Sequence, residues 1–132
     1  MLKPLLEKAR NMLVPSFKKC SMCTEKWRYR NDFLSDSDLT FRGYTANLDN
    51  LELGIFLFDH DKCKTTLAIQ ASEFVDLYKG EVFETRLTGS EKCPGYCLNT
   101  NEIRVCPAKC ECAYVREVVY IVNNWGRVSI GD

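Results

Sequence analysis

The chain holds a single histidine in 132 residues and has no net charge. One imidazole leaves little room for acid–base chemistry built on histidine. There is also no glycine-rich phosphate loop, no nucleophile elbow and no H-E-x-x-H helix, so the common catalytic frames are missing. Eighteen Lys and Arg balance eighteen Asp and Glu, with no dense basic run, so nucleic acid is not the expected partner. No window approaches the ~18 apolar residues of a membrane span, so no membrane association is expected.

What remains is an ordinary globular composition with one anomaly. Hydrophobic residues make up 45% and charged residues 27%, which excludes a disordered chain and a collagen-like repeat. The length suits one domain, able to hide roughly 68% of its unfolded surface without crosslinks. The anomaly is eight cysteines.

Charge is unevenly placed along the chain. Residues 1–30 carry eight basic against two acidic side chains, and residues 31–90 carry five basic against eleven acidic. The simple reading, which is preferred, lays a basic N-terminal segment across an acidic middle or leaves both solvated; the sharper one makes the arm a contact for a nucleic acid or an acidic partner. Met1–Val14 has apolar residues at helical spacing (Leu2, Leu5, Leu6, Ala9, Met12, Leu13). Lys3, Pro4, Glu7, Lys8 and Arg10 interrupt any apolar core of a signal peptide. The expectation is a cytoplasmic chain with reduced thiols, where clustered cysteines hold metal more often than they form disulfides.

The periodicities indicate an α+β fold: a single domain, residues 1–132, with an antiparallel sheet flanked by an N-terminal and a C-terminal helix. Trp27, Tyr29 and Phe33 alternate with basic residues as in a half-buried strand, Asn31–Asp38 reads as a polar turn, and Thr40–Thr45 reads as a short strand. Leu51–Phe58 reads as a largely buried strand, paired through the Asp59–Lys64 loop with Thr65–Ile69. Ser72–Tyr78 reads as a short helix and Glu81–Leu87 as a further strand. Ala113–Trp125 closes the chain as a helix on a Val115, Val118, Val119, Val122, Trp125 stripe, with strand as the alternative because so many residues are β-branched.

The cysteine-rich segment, residues 93–112, contains the strongest pattern, an internal repeat. Cys93-Pro-Gly-Tyr-Cys97 is followed after eight residues by Cys106-Pro-Ala-Lys-Cys110, and Cys112 adds a fifth sulfur. Proline suits the first position of a helical turn, which would put each leading cysteine at an N-cap, where free amides favour thiolate. Two such turns face to face supply four sulfurs, enough for tetrahedral zinc or a cubane iron–sulfur cluster. The spacing matches neither a zinc ribbon nor a ferredoxin run, so the metal stays open.

A second constellation joins Cys20-Ser-Met-Cys23 with His60-Asp-Lys-Cys63. A C-x₂-C knuckle pinches one metal, and His60 with Cys63 would complete a Cys₃His shell if the two loops meet. The same residues allow a catalytic reading, an activated Cys63–His60 pair oriented by Asp59 or Asp61. A dyad is set by spatial geometry that one loop rarely supplies, so metal binding is preferred over catalysis. The expected function is a small zinc-binding, cysteine-ligated module with a structural, sensory or partner-docking role and a protein partner. The alternatives are an iron–sulfur electron carrier or redox sensor, and a thiol-dependent enzyme.

Overall fold

In the computed structural model, residues 16–125 are described. The Met1–Val14 helix expected from the sequence lies outside the described residues. The chain opens with a minimal hairpin, β1 (Lys18–Lys19) and β2 (Lys26–Trp27), paired antiparallel with Lys18 opposite Trp27. Its six-residue loop, Cys20–Glu25, is closed by a 2.9 Å bond from the Cys20 amide to the Glu25 carbonyl.

The expected strand does not continue past Trp27. The chain turns into a six-residue helix, α1 (Arg30–Ser35), and leaves Tyr29 61% exposed. The aromatic stripe explains the turn. Trp27 from β2 and Phe33 from α1 both reach the core, where their rings meet edge-on at 5.1 Å, and the turn between them leaves Tyr29, the residue before α1, facing water. Trp27 Nε1 donates to Asp36 Oδ2 at 2.8 Å, which satisfies the buried indole.

The main sheet has three antiparallel strands in sequence order: β3 (Leu39–Thr45), β4 (Ile55–His60) and β5 (Thr65–Gln70). Leu51–Leu53 forms a 3₁₀ turn capped by Asn50, so the buried strand starts four residues later than the alternation suggests. Phe56, Phe58 and His60 are the buried face of β4. Phe56 and Phe58 pack on Phe33, Phe41 and Phe74, and His60 packs on Trp27, so the core is largely aromatic. Residues 71–77 make two 3₁₀ turns rather than one helix, and the expected strand over Glu81–Leu87 is irregular chain.

α2 (Ala113–Asn123) is the closing helix, and its Val115, Val118, Val119 and Val122 are buried against the sheet side of the core. Burial of that stripe outweighs the modest helix penalty of β-branching, which settles the helix-or-strand alternative. The cysteine-rich segment docks on the edge of β3. The Tyr44 amide donates to the Thr100 carbonyl at 3.0 Å, and a Cβ at Gly43 would overlap that same oxygen. Glycine is required there by a close backbone approach at the bulge between Phe41 and Gly43. The described residues thus form a small single domain with two antiparallel sheets and few helices. None of those helices is long and apolar enough to cross a membrane.

Candidate metal centre

Two hairpin loops meet at one end of the sheet. Cys20 and Cys23 come from the β1–β2 loop, His60 from the last position of β4, and Cys63 from the β4–β5 turn. Their four ligand atoms all lie within 4.8 Å of one another. Cys20 Sγ stands 3.4 Å from Cys63 Sγ, and His60 Nδ1 stands 3.2 Å from Cys63 Sγ and 3.9 Å from Cys23 Sγ.

These separations can be compared with a metal shell. Zn–S bonds of about 2.3 Å and Zn–N bonds of about 2.05 Å at tetrahedral angles give edges of about 3.8 Å for S–S and about 3.6 Å for S–N. The observed contacts run from 3.2 to 3.9 Å and no donor pair exceeds 4.8 Å, so one ion fits with adjustments of about 1 Å or less. Among the described residues, a Cys₃His group that could bind a metal ion is therefore present.

Local backbone structure holds each donor. The β4–β5 turn is closed by the Lys64 amide on the His60 carbonyl at 2.9 Å, with Lys64 itself in the left-handed region at φ 59°. That conformation curls Cys63 back beneath His60. Leu39 pairs with His60 across the sheet, so Asp38, one residue before it, arrives beside the imidazole. Asp38 Oδ2 lies 3.2 Å from His60 Nε2, although the ring N–H is not aligned on it. Nδ1 therefore faces the sulfurs while Nε2 faces a carboxylate, the arrangement that fixes the tautomer of a ligating histidine. The ring is fully buried and stacks edge-on against Trp27 at 5.2 Å.

The sulfurs are supplied with hydrogen-bond donors in a repeating way. The Met22 amide donates to Cys20 and the Glu25 amide to Cys23, both at 3.4 Å, each from two residues downstream. The Thr65 amide does the same for Cys63. Such amides favour thiolate over thiol. Burial pushes the Cys20 thiol up, but the Met22 amide, His60, Cys63 and the Cys23 amide together bring it down to about 6. Burial and the hydrogen bond with Cys20 push Cys63 up to about 11. One proton is thus shared between two sulfurs in contact, and like-charge repulsion resists its loss. A cation at the centre removes that repulsion.

Asp38 was not legible as a site residue, because only strand register places it. Asp59 and Asp61, the expected orienting residues, are engaged elsewhere. Asp59 pairs with Arg42 and accepts from Thr66, and Asp61 accepts from Thr40.

The Cys93–Cys112 group is gathered differently. Cys97, Cys110 and Cys112 form their own buried cluster, apart from the aromatic core. Cys97 Sγ lies 3.1 Å from Cys112 Sγ, which lies 3.4 Å from Cys110 Sγ. The Leu87 amide donates to Cys110 at 3.1 Å. Cys106 is also buried, whereas Cys93 is half-buried. A proton shared with Cys112 lowers Cys97 and raises Cys112, and burial raises Cys106. The leading cysteines do not cap helical turns as expected. Gly95, at φ 82°, precedes the Tyr96–Leu98 3₁₀ turn, and its amide donates to Cys93 at 3.3 Å. The Ala108 amide serves Cys106 in the same way. Compared with protein-family models, with curated proteins and with solved structures, the chain gave no match in any of the three.

Proposed function

We propose that the chain is a zinc-binding module in which one ion, held by Cys20, Cys23, His60 and Cys63, pins the β1–β2 hairpin to the three-stranded sheet. The observation that carries this reading is the convergence of four donor atoms from two separate loops to within 4.8 Å. A hairpin with two-residue strands is not stable alone, so an ion bridging it to the sheet has a structural task to perform. A mixed sulfur and nitrogen tetrahedron suits zinc, which has no geometric demand of its own.

The spacing of the donors favours a single ion over an iron–sulfur cubane. Thiolates around a four-iron core must stand further apart than sulfurs in mutual contact, because the core lies between them. A reducing, cytoplasmic setting is consistent with eight free thiols. The partner-docking role is supported by Met22. It sits at the tip of the knuckle, between two ligating cysteines, and is 70% exposed, an adaptable apolar side chain held on a fixed loop.

The test is elemental analysis of protein purified without added metal, followed by chelation under near-ultraviolet circular dichroism. Bound zinc, with loss of the aromatic signal on chelation, is expected. Metal-free protein that keeps its aromatic signal in chelator would overturn the reading.

A further inference from the structure

A fully buried guanidinium, that of Arg116, holds the loop between Cys97 and Cys106. Arg116 is in the first turn of α2, and its amide bonds the carbonyl of Cys112 at 3.3 Å. A helical side chain leans toward the helix N-terminus, so Arg116 lies over the turn that carries Cys112. Nη2 donates to the carbonyls of Glu102 at 2.6 Å and Arg104 at 3.1 Å, and Nε reaches Arg104 at 3.3 Å. Nη1 is buried with no partner. Among the described residues no ion pair involves Arg116.

A buried charge without a counter-ion costs several kcal/mol, and carbonyl dipoles offset only part of that. Two further features point the same way. The Tyr44 hydroxyl is a second buried donor without a partner, and its ring lies 6.0 Å from the Arg116 guanidinium. Cys112 is also the N-cap residue of α2, the end of a helix where anions are favoured, though its sulfur makes no capping bond there. Two orphaned buried donors, one of them on a cation with no carboxylate paired to it, therefore lie where the cysteine-rich segment packs against β3 and α2.

We propose that Cys97, Cys106, Cys110 and Cys112, the four buried sulfurs of this group, hold a second single ion of the zinc class, and that Arg116 is the counter-charge of the resulting tetrathiolate. Four thiolates around a dication leave two negative charges, and one guanidinium halves that excess. Binding displaces the thiol protons to solvent. The two sulfur contacts, Cys97–Cys112 at 3.1 Å and Cys112–Cys110 at 3.4 Å, are slightly tighter than the edge of a ZnS₄ tetrahedron, about 3.8 Å, whereas the other pairs must draw in around the ion, because these sulfurs do not yet all lie within 4.8 Å of one another. Cys106 is the fourth ligand because, of the two remaining sulfurs of the segment, it is the buried one. Cys93, the half-buried fifth sulfur, is left over. The inference does not depend on the first centre, since no residue is shared.

The full chain, expressed with zinc and purified without oxygen, should carry two zinc ions by native mass spectrometry and elemental analysis. Cys112→Ser should carry one, Cys63→Ser should carry one, and Cys93→Ser should keep two. Cobalt loaded into Cys63→Ser should show the charge-transfer spectrum of an all-sulfur tetrahedron. Arg116→Met should weaken zinc at this centre by ~10–100-fold, the usual effect of losing a supporting group, while Arg116→Lys should retain most of the affinity. Two ions in Cys112→Ser, a Cys63→Ser chain that carries no ion, iron with acid-labile sulfide, or a Cys97–Cys112 disulfide in the oxygen-free protein would each overturn it. The Cys63→Ser arm separates failure here from failure of the first centre.

Discussion

Replacing Asp38 with Asn removes a charge from behind the histidine without touching any sulfur. The carboxylate lies 3.2 Å from His60 Nε2, and its side chain is 38% exposed. Loss of a partner behind a ligating histidine costs ~10–100-fold in metal affinity. Solvent screening at this exposure, and an N–H that is not aligned on the oxygen, place the effect at the low end. We expect about tenfold, or about 1.4 kcal/mol. The backbone contacts of Asp38 stay: its amide on Asp36 Oδ1 and its carbonyl under the Asp61 amide do not involve the carboxylate. The assay is zinc competition against a chromophoric chelator in a Trp125→Phe background, with Trp27 emission reporting occupancy. Trp27 serves because it is buried and stacks on His60. An affinity unchanged within twofold would refute the role given to Asp38.

Three further outcomes are expected. With Cys63 pushed up to about 11 and Cys20 brought down to about 6, ion binding at pH 7 should expel at least one proton, chiefly from Cys63. Apparent affinity should therefore rise with pH and fall as the solution is acidified through about pH 6, where Cys20 also takes up a proton; calorimetry in buffers of different ionisation enthalpy counts the protons, and a count of zero would contradict this. Lys64→Gly should be neutral or stabilising by up to about 1 kcal/mol, whereas Lys64→Val should cost about 1–2 kcal/mol, because φ 59° suits only the former; urea unfolding of the loaded protein in which the two variants match would contradict the turn geometry. Phe33→Ala should cost about 3–5 kcal/mol in the same assay, since Phe33 is fully buried against Trp27, Phe17 and Phe58, and a loss below about 1 kcal/mol would mean that this ring cluster does not form.

The strands of the main sheet were legible because each carries its own alternation, although β4 runs on past Phe58 to His60, which the polar Asp59–Lys64 stretch assigned to a loop. The valine stripe likewise identified α2. α1 was not legible: it is six residues long, and Tyr29 makes no side-chain capping bond. Alternation through Trp27 and Tyr29 therefore suggested a strand where tertiary packing of Phe33 imposes a turn. The sites show the same division. Sequence spacing singled out Cys20, Cys23, His60 and Cys63 but ranked them below the Cys-Pro repeat, because a repeat can be seen in one dimension and the meeting of two hairpin loops cannot. In the structure, the four donors that converge fully are those of the lower-ranked set. Asp38 and Arg116 had no sequence signal at all. Asp38 owes its place to the pairing of Leu39 with His60, and Arg116 to the fold of the loop around Glu102 and Arg104.

The proposed centre is one ion bound by the sulfurs of Cys20, Cys23 and Cys63 and by His60 Nδ1. Cadmium-113 NMR of the loaded chain tests this most directly, because scalar coupling crosses metal–ligand bonds. One cadmium resonance should couple to the β protons of Cys20, Cys23 and Cys63 and to the His60 ring through Nδ1, with Nε2 carrying the proton. A His60 ring that shows no coupling and titrates freely with the metal bound would contradict it.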